Sequence, residues 1–301
     1  MNAPTVDVIN LTDSTYTFTQ DFAGDSDGET ALPLIEDDLQ INGNSATLDR
    51  DTSGPNFRFF YNNAVNLTLT DMTLQNGNTG GEGGAILTSI GVTLTIEDSI
   101  LQNNRATQAG GAISVDQTTM TIRRSIFRGN FSAQGGGAIR HLSSTSRMTQ
   151  SLAYDNESAR VGGFLDADSG PFIITNSTFS NNRDTGETAI EGSILFDQSN
   201  TVLIENSILW GHTAPYFDSS FVPTINYSIV EGGFTGTGNL DADPLFVDAV
   251  NDDYSLSASS PAIDAASNTA ASNASISTND LAGNPRFLDD SGVTATGVGV
   301  V

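Results

Sequence analysis

Cysteine is missing altogether from the 301 residues, so disulfides, thiolate nucleophiles and cysteine-bound zinc are excluded. Basic side chains are scarce too: 11 Lys and Arg stand against 36 Asp and Glu, a formal net charge of −25. So acidic a surface repels phosphate backbones and anionic lipid, which makes nucleic acid a poor partner and adsorption to a membrane unfavourable. The plainest role for the charge is to keep an exported, aggregation-prone β protein soluble. Long apolar runs are also lacking. No stretch approaches the ~18 residues of a membrane span, so no direct membrane insertion is expected. Met1-Asn2-Ala3-Pro4 has neither the basic nor the apolar segment of a signal peptide, as expected of a mature or recombinant start. No window sustains a helical apolar period.

What the chain has instead is repetition. Gly83-Gly84-Ala85-Ile86, Gly110-Gly111-Ala112-Ile113, Gly136-Gly137-Ala138-Ile139 and the looser Gly162-Gly163-Phe164 recur about every 26 residues. Ser99, Ser125, Ser151 and Ser177 run in phase with them, as do Asn104, Asn130, Asn156 and Asn182. Each unit carries an alternating run such as Thr93-Leu94-Thr95-Ile96 or Thr119-Met120-Thr121-Ile122, which predicts a strand with one buried face. A second strand is expected after each Gly-Gly-Ala-Ile, and a third over stretches like Ser99 to Asn104.

Three short strands per unit at a constant period do not suit a hairpin meander. They fit one coil of an all-β, right-handed, single-stranded parallel β-helix, each strand pairing with its equivalent one coil away at roughly 4.8 Å. Asn104, Asn130, Asn156 and Asn182 should then superpose as an internal stack, because Asn tolerates left-handed backbone and its amide can bond the amides above and below. The Gly pairs should mark bends where a side chain would meet the next coil. One continuous solenoid is expected, with N-terminal coils over 1–60, regular repeats over 61–232, and irregular coils with a partial cap over 233–301.

Gly-Gly-Ala-Ile alternating with Ser-x-Phe-x-x-Asn, as in Ser125 to Asn130 and Ser177 to Asn182, resembles the repeats of polymorphic-outer-membrane-protein-type surface proteins. The tail is more specific. Asp241-Ala242-Asp243-Pro244-Leu245-Phe246, Tyr254-Ser255-Leu256, Ser260-Pro261-Ala262-Ile263-Asp264 and Asp280 to Arg286 resemble the closing region of bacterial β-helix surface proteins of the choice-of-anchor type. That resemblance covers nearly the whole chain and implies an extracellular or cell-surface location. Such domains usually run past a Val-Val like Val300-Val301 into a further strand and an anchor, so the sequence reads as part of something longer.

Catalysis is the competing reading. β-Helix hydrolases and lyases use carboxylates converging on one coil face, and resemblance to polygalacturonases would imply Asn-Thr-Asp, Asp-Asp and Gly-His-Gly motifs, which the sequence lacks. The nearest cluster is Arg140, His141, Asp155, Arg160, Asp166 and Asp168, with an exposed ion pair as the plainer reading. Asp25, Asp27 and Glu29, and separately Asp241 and Asp243, offer oxygen ligands for a structural Ca²⁺, the one cofactor with candidate ligands; solvated loops are the default. Trp210 and His212 could stack on a sugar, although Trp210 after Ile208-Leu209 reads more simply as core or tail packing. The Thr93/Thr95 and Thr119/Thr121 pairs suggest a flat ice-binding face that Arg147 and Ile173 interrupt.

The favoured expectation is a non-catalytic surface or structural solenoid acting in self-association, as fibre or matrix, or in adhesion to a surface glycan. The alternative is a lyase or hydrolase on acidic polysaccharide. Candidate self-association residues are Val6 and Val8 near one end and Val298, Val300 and Val301 near the other, the two ends being expected to meet end to end in a heterologous contact that propagates as an open filament, and Ile173 and Leu203 as an outward apolar pair.

Overall fold

A computed structural model describes residues 6–22, 29–63, 65–186, 194–196, 202–212, 217, 222–273 and 277–285. Over them the chain winds as a right-handed parallel β-helix of about six turns. One coil carries strands Thr93–Glu97, Ile100–Gln102 and Ile113–Asp116. The next repeats them as Thr119–Arg123, Ile126–Arg128 and Ile139–Leu142. Register is maintained between coils: Met120 lies between Leu94 and Ser146, Phe127 between Leu101 and Ala153, Ile139 between Ile113 and Leu165. A further ladder of two-residue pieces, among them Arg105–Ala106 and Phe131–Ser132, follows each Asn turn. Two residues are too few to show as alternation.

The alternating side chains divide between core and surface. Leu94, Ile96, Met120, Ile122, Phe172 and Ile174 are buried, while Thr95 and Thr121 face outward and are half-buried. Phe164 meets Phe127 and Phe179 edge to face at 5.9 and 5.2 Å.

Two polar ladders flank the middle strand of each coil. Asn130 Oδ1 accepts both the backbone N–H (3.0 Å) and the amide Nδ2 (3.1 Å) of Asn104. Asn156 Oδ1 accepts the same pair from Asn130 at 3.1 and 2.8 Å, and Asn182 Oδ1 the pair from Asn156 at 3.1 and 2.8 Å. All four asparagines are fully buried, so these bonds satisfy groups that water cannot reach. The serines form the second ladder: Ser125 N–H donates to Ser151 Oγ (3.2 Å), and Ser125 Oγ donates to the Arg123 carbonyl (2.7 Å).

The Gly pairs have two separate causes. Gly136 has φ +61°, a left-handed conformation that costs glycine least, and a Cβ on Gly137 would overlap the Gly163 carbonyl oxygen of the next coil.

At the N-terminal end, Asp7–Asn10 and Thr15–Phe18 pair in parallel with the long strand Leu39–Arg50. Between these two short strands the chain bends at residues 13–14. After the last coil, residues 237–240 fold back onto it: Tyr227 N–H donates to Thr237 O (2.7 Å) and Val230 N–H to Leu240 O (2.9 Å). Phe246–Asp248 and Asp253–Leu256 then form an antiparallel hairpin, followed by the short helix Asn268–Asn273.

This C-terminal segment lies along the side of the solenoid. Tyr254 stacks on Tyr154 at 4.9 Å. Ser267 and Asn206 exchange two bonds (2.8 and 2.9 Å), and Gln150 bonds Ser277 N–H (2.7 Å) and Asn279 O (2.8 Å). Between these anchors the outward Thr149 and Thr175 are buried, as are Ala270 and Ala271 of the helix.

Candidate functional site

The charged cluster read from the sequence is only partly assembled. Arg140 and Asp166 are register partners on adjacent outward strand positions, and Arg140 Nη1 donates to Asp166 Oδ2 at 2.6 Å. Asp168 stands further off, 3.9 Å from Nη2. The pair is largely covered, with side-chain exposures of 20% and 10%, and a Cβ on Gly135 would overlap Asp166 Oδ2. One oxygen of the carboxylate is thus held by a guanidinium beneath the preceding coil's backbone. On the neighbouring coil Ser114 Oγ donates to Glu82 Oε2 at 2.7 Å.

The other members lie elsewhere. His141 is a correction to the cluster, because alternation along Ile139–Leu142 sends it inward between Val115 and Ala167. It is fully buried, edge to face with Phe172 at 5.2 Å, and among the described residues its ring nitrogens find no hydrogen-bond partner on another residue. Burial holds its pKa down at about 4, so it is neutral at pH 7. Asp155 sits at an exposed corner beyond the Tyr154 strand, near Asp252 and Arg183, where desolvation and then Asp252 raise its pKa. Arg160 is exposed, its backbone N–H bonded to Ser158 Oγ.

Among the described residues, no group of three or more His, Asp or Glu side chains is placed to hold a metal ion. Asp241 Oδ1 accepts the Gly232 amide (3.0 Å) and Asp243 Oδ1 the Leu245 amide (2.9 Å), both turn contacts. Glu29 is exposed, and Asp25 and Asp27 lie outside the described residues. So do Val298, Val300 and Val301. Ile173 and Leu203 are Cα partners on adjacent coils and half-buried, with Arg147 and Thr224 on either side.

His212 and Trp210 belong to one strand end but separate roles. His212 stands where the next ladder asparagine would be and is buried; its Nε2 lies 3.1 Å from Phe179 O and its Nδ1 3.3 Å from Asn182 O. Desolvation again lowers its pKa to about 4. Trp210 faces outward at the end of Ile208–Trp210 and is half-buried, which corrects the core reading. It lines a cavity of about 400 Å³ between the last coils and the C-terminal hairpin, together with Asn181, Asp243, Phe246, Ser257 and Ser259. The sequence held a signal for this: with Leu209 buried, alternation places Ile208 and Trp210 outward.

The profile of the family described as right-handed beta helix region matches residues 58–236. The chain belongs to that family. The matched segment runs from the Phe57 to Phe60 coil to the fold-back after the last coil. No curated protein matches this β-helix protein.

Proposed function

We propose that this β-helix protein is a non-catalytic, extracellular or cell-surface solenoid that works by associating with other copies of itself. The observation that carries the reading is the N-terminal edge. Among the described residues, Asp7–Asn10 pairs on one side only, with Leu39–Arg50. Val6, Val8 and Ile9 beside or within it are 50%, 52% and 45% exposed. An exposed strand edge carrying apolar side chains is a template for pairing with another chain. At the other end residues 237–240 already occupy the last coil's amides and carbonyls, so the favoured contact joins two N-terminal edges. Such a contact is isologous and closes as a dimer. Growth into fibre or matrix would need a second, lateral contact, for which Ile173 and Leu203 are the candidates.

The enzymatic alternative draws on Arg140, Asp166 and Asp168. Their mutual pairing suits an ion pair better than an acid or base, since a reacting carboxylate must reach substrate. Sedimentation velocity over a wide concentration range tests the proposal. Reversible dimers that Val8→Lys converts to monomers are expected. A chain that stays monomeric at every concentration overturns self-association and leaves ligand adhesion as the leading account.

A further inference from the structure

We infer that the cavity beside Trp210 is a binding subsite for a neutral sugar unit of a glycan. The cavity's volume, about 400 Å³, falls within the roughly 300–1,000 Å³ of small-molecule sites. Its walls combine two kinds of surface. Trp210 and Phe246 supply aromatic faces, suited to the C–H face of a pyranose. Asn181, Asp243, Ser257 and Ser259 supply amide, carboxylate and hydroxyl groups, which can donate to and accept from sugar hydroxyls.

Charge narrows the class. Asp243 is the formally charged side chain among these six and it is anionic, on a protein of net charge −25. A uronic acid or sulfated sugar would be repelled, whereas a neutral hexose or N-acetylhexosamine would not. Asp243 Oδ1 is held by the Leu245 amide, and a carboxylate so held still offers Oδ2 to a hydroxyl.

The walls are also braced before any ligand arrives. Trp210 sits on a strand whose neighbour Thr178–Ser180 fixes it in register, and the following Gly211 amide donates to Glu231 Oε2 at 2.8 Å. Phe246 packs on Tyr254 at 5.2 Å, and Tyr254 on Tyr154 at 4.9 Å. Groups already fixed lose little entropy on binding, which favours a weakly held ligand such as a single sugar. Trp210 is half-buried and shares the cavity lining with residues of the C-terminal segment. The site is on the last coils, remote along the solenoid from the Asp7–Asn10 edge, and stands or falls independently of self-association.

Trp210 is the only tryptophan in the chain, so its fluorescence reports on this cavity alone. The full chain is titrated with cellobiose, lactose and N,N′-diacetylchitobiose, with digalacturonate as the charged control, and binding is confirmed by calorimetry. At least one neutral disaccharide should give a saturable fluorescence change, and digalacturonate none. By calorimetry Trp210→Ala should abolish binding, Trp210→Phe should retain it in weakened form, and Asp243→Ala should weaken it by about tenfold. All three variants should keep the parent's sedimentation and melting behaviour. Absence of saturable binding with every neutral probe overturns the inference. So does binding unchanged in a folded Trp210→Ala variant, or equal binding of digalacturonate.

Discussion

His212 stands directly on Asn182: its Nδ1 is 3.3 Å from the Asn182 carbonyl, and its Nε2 lies 3.1 Å from Phe179 O. The amide of Asn182 makes the equivalent reach to Ala153 O at 2.9 Å, as those of Asn156 and Asn130 do to Phe127 O and Leu101 O. An imidazole thus continues a ladder built of amides. It can donate to the coil below, but it has no carbonyl with which to accept the Asn182 backbone N–H as the asparagines do.

The ladder makes Asn130→Leu costly. Asn130 Oδ1 receives two bonds from Asn104, and its Nδ2 donates to Asn156 Oδ1 and Leu101 O. Leucine leaves the Asn104 donors unpaired where water cannot reach, at about 1–3 kcal/mol for each group stranded. Chemical denaturation should show a loss well beyond that of an outward change such as Thr121→Ser. Equal losses for the two would mean that the stack contributes little.

These relationships were unequally legible in the sequence. The strands and the Asn positions were readable because a parallel coil repeats its chemistry at constant spacing. His212 was missed because it follows Asn182 by 30 residues, not 26; aligning Ser207 to His212 with Ser177 to Asn182 restores the phase. His141 was misread as part of a surface cluster because charge proximity was weighed ahead of alternation with Ile139. Nothing local could announce the cavity wall at Phe246, Ser257 and Ser259, since it depends on where the C-terminal segment docks. That docking is set by single contacts such as Gln150 with Asn279, separated by 129 residues.

Gly137→Ala should be among the most damaging small substitutions. The added methyl would overlap the Gly163 carbonyl oxygen and crowd the Glu157 backbone, and neither can move without displacing a coil. Overpacking of this kind costs about 1–3 kcal/mol or more. Gly91→Ala is the control: nothing lies within 4 Å of its Cβ, although its φ of +81° still strains alanine. Thermal melting should fall much further for Gly137→Ala; because Gly137 itself is not left-handed, a fall no larger than that of Gly91→Ala would mean that the neighbouring coil yields to the added methyl at little cost.

Both histidines should make the fold acid-sensitive in one window. Each has a folded pKa of about 4, against about 6.5 for an unperturbed imidazole. The unfolded chain therefore binds more protons between these values, so stability is fully present above about pH 6.5 and declines as pH falls toward about 4. Replacing His141, whose ring nitrogens bond no other residue among those described, by Leu should flatten that decline and raise stability. His212→Asn should also flatten it, by removing the second imidazole, while an amide there can rejoin the ladder. Melting temperature measured from pH 4 to pH 7 checks this. A slope unchanged in both variants would place the titrating groups elsewhere.

The reading of Arg140 and Asp166 as an ion pair gives the last expectation. Asp166 Oδ2 is bonded to Arg140 at 2.6 Å and covered by the Gly135 backbone, and His141 one position along is turned into the core. A carboxylate acid or base needs a path to substrate, and this oxygen is engaged by the guanidinium and covered by backbone. Incubation with polygalacturonate and alginate, with and without Ca²⁺, should therefore release neither new reducing ends nor unsaturated products. Asp166→Asn should lower stability modestly, because the Arg140 charge loses its closest partner. Product formation by the parent chain that disappears in Asp166→Asn, with the variant still folded, would reassign the pair as catalytic and the protein as a carbohydrate-active enzyme.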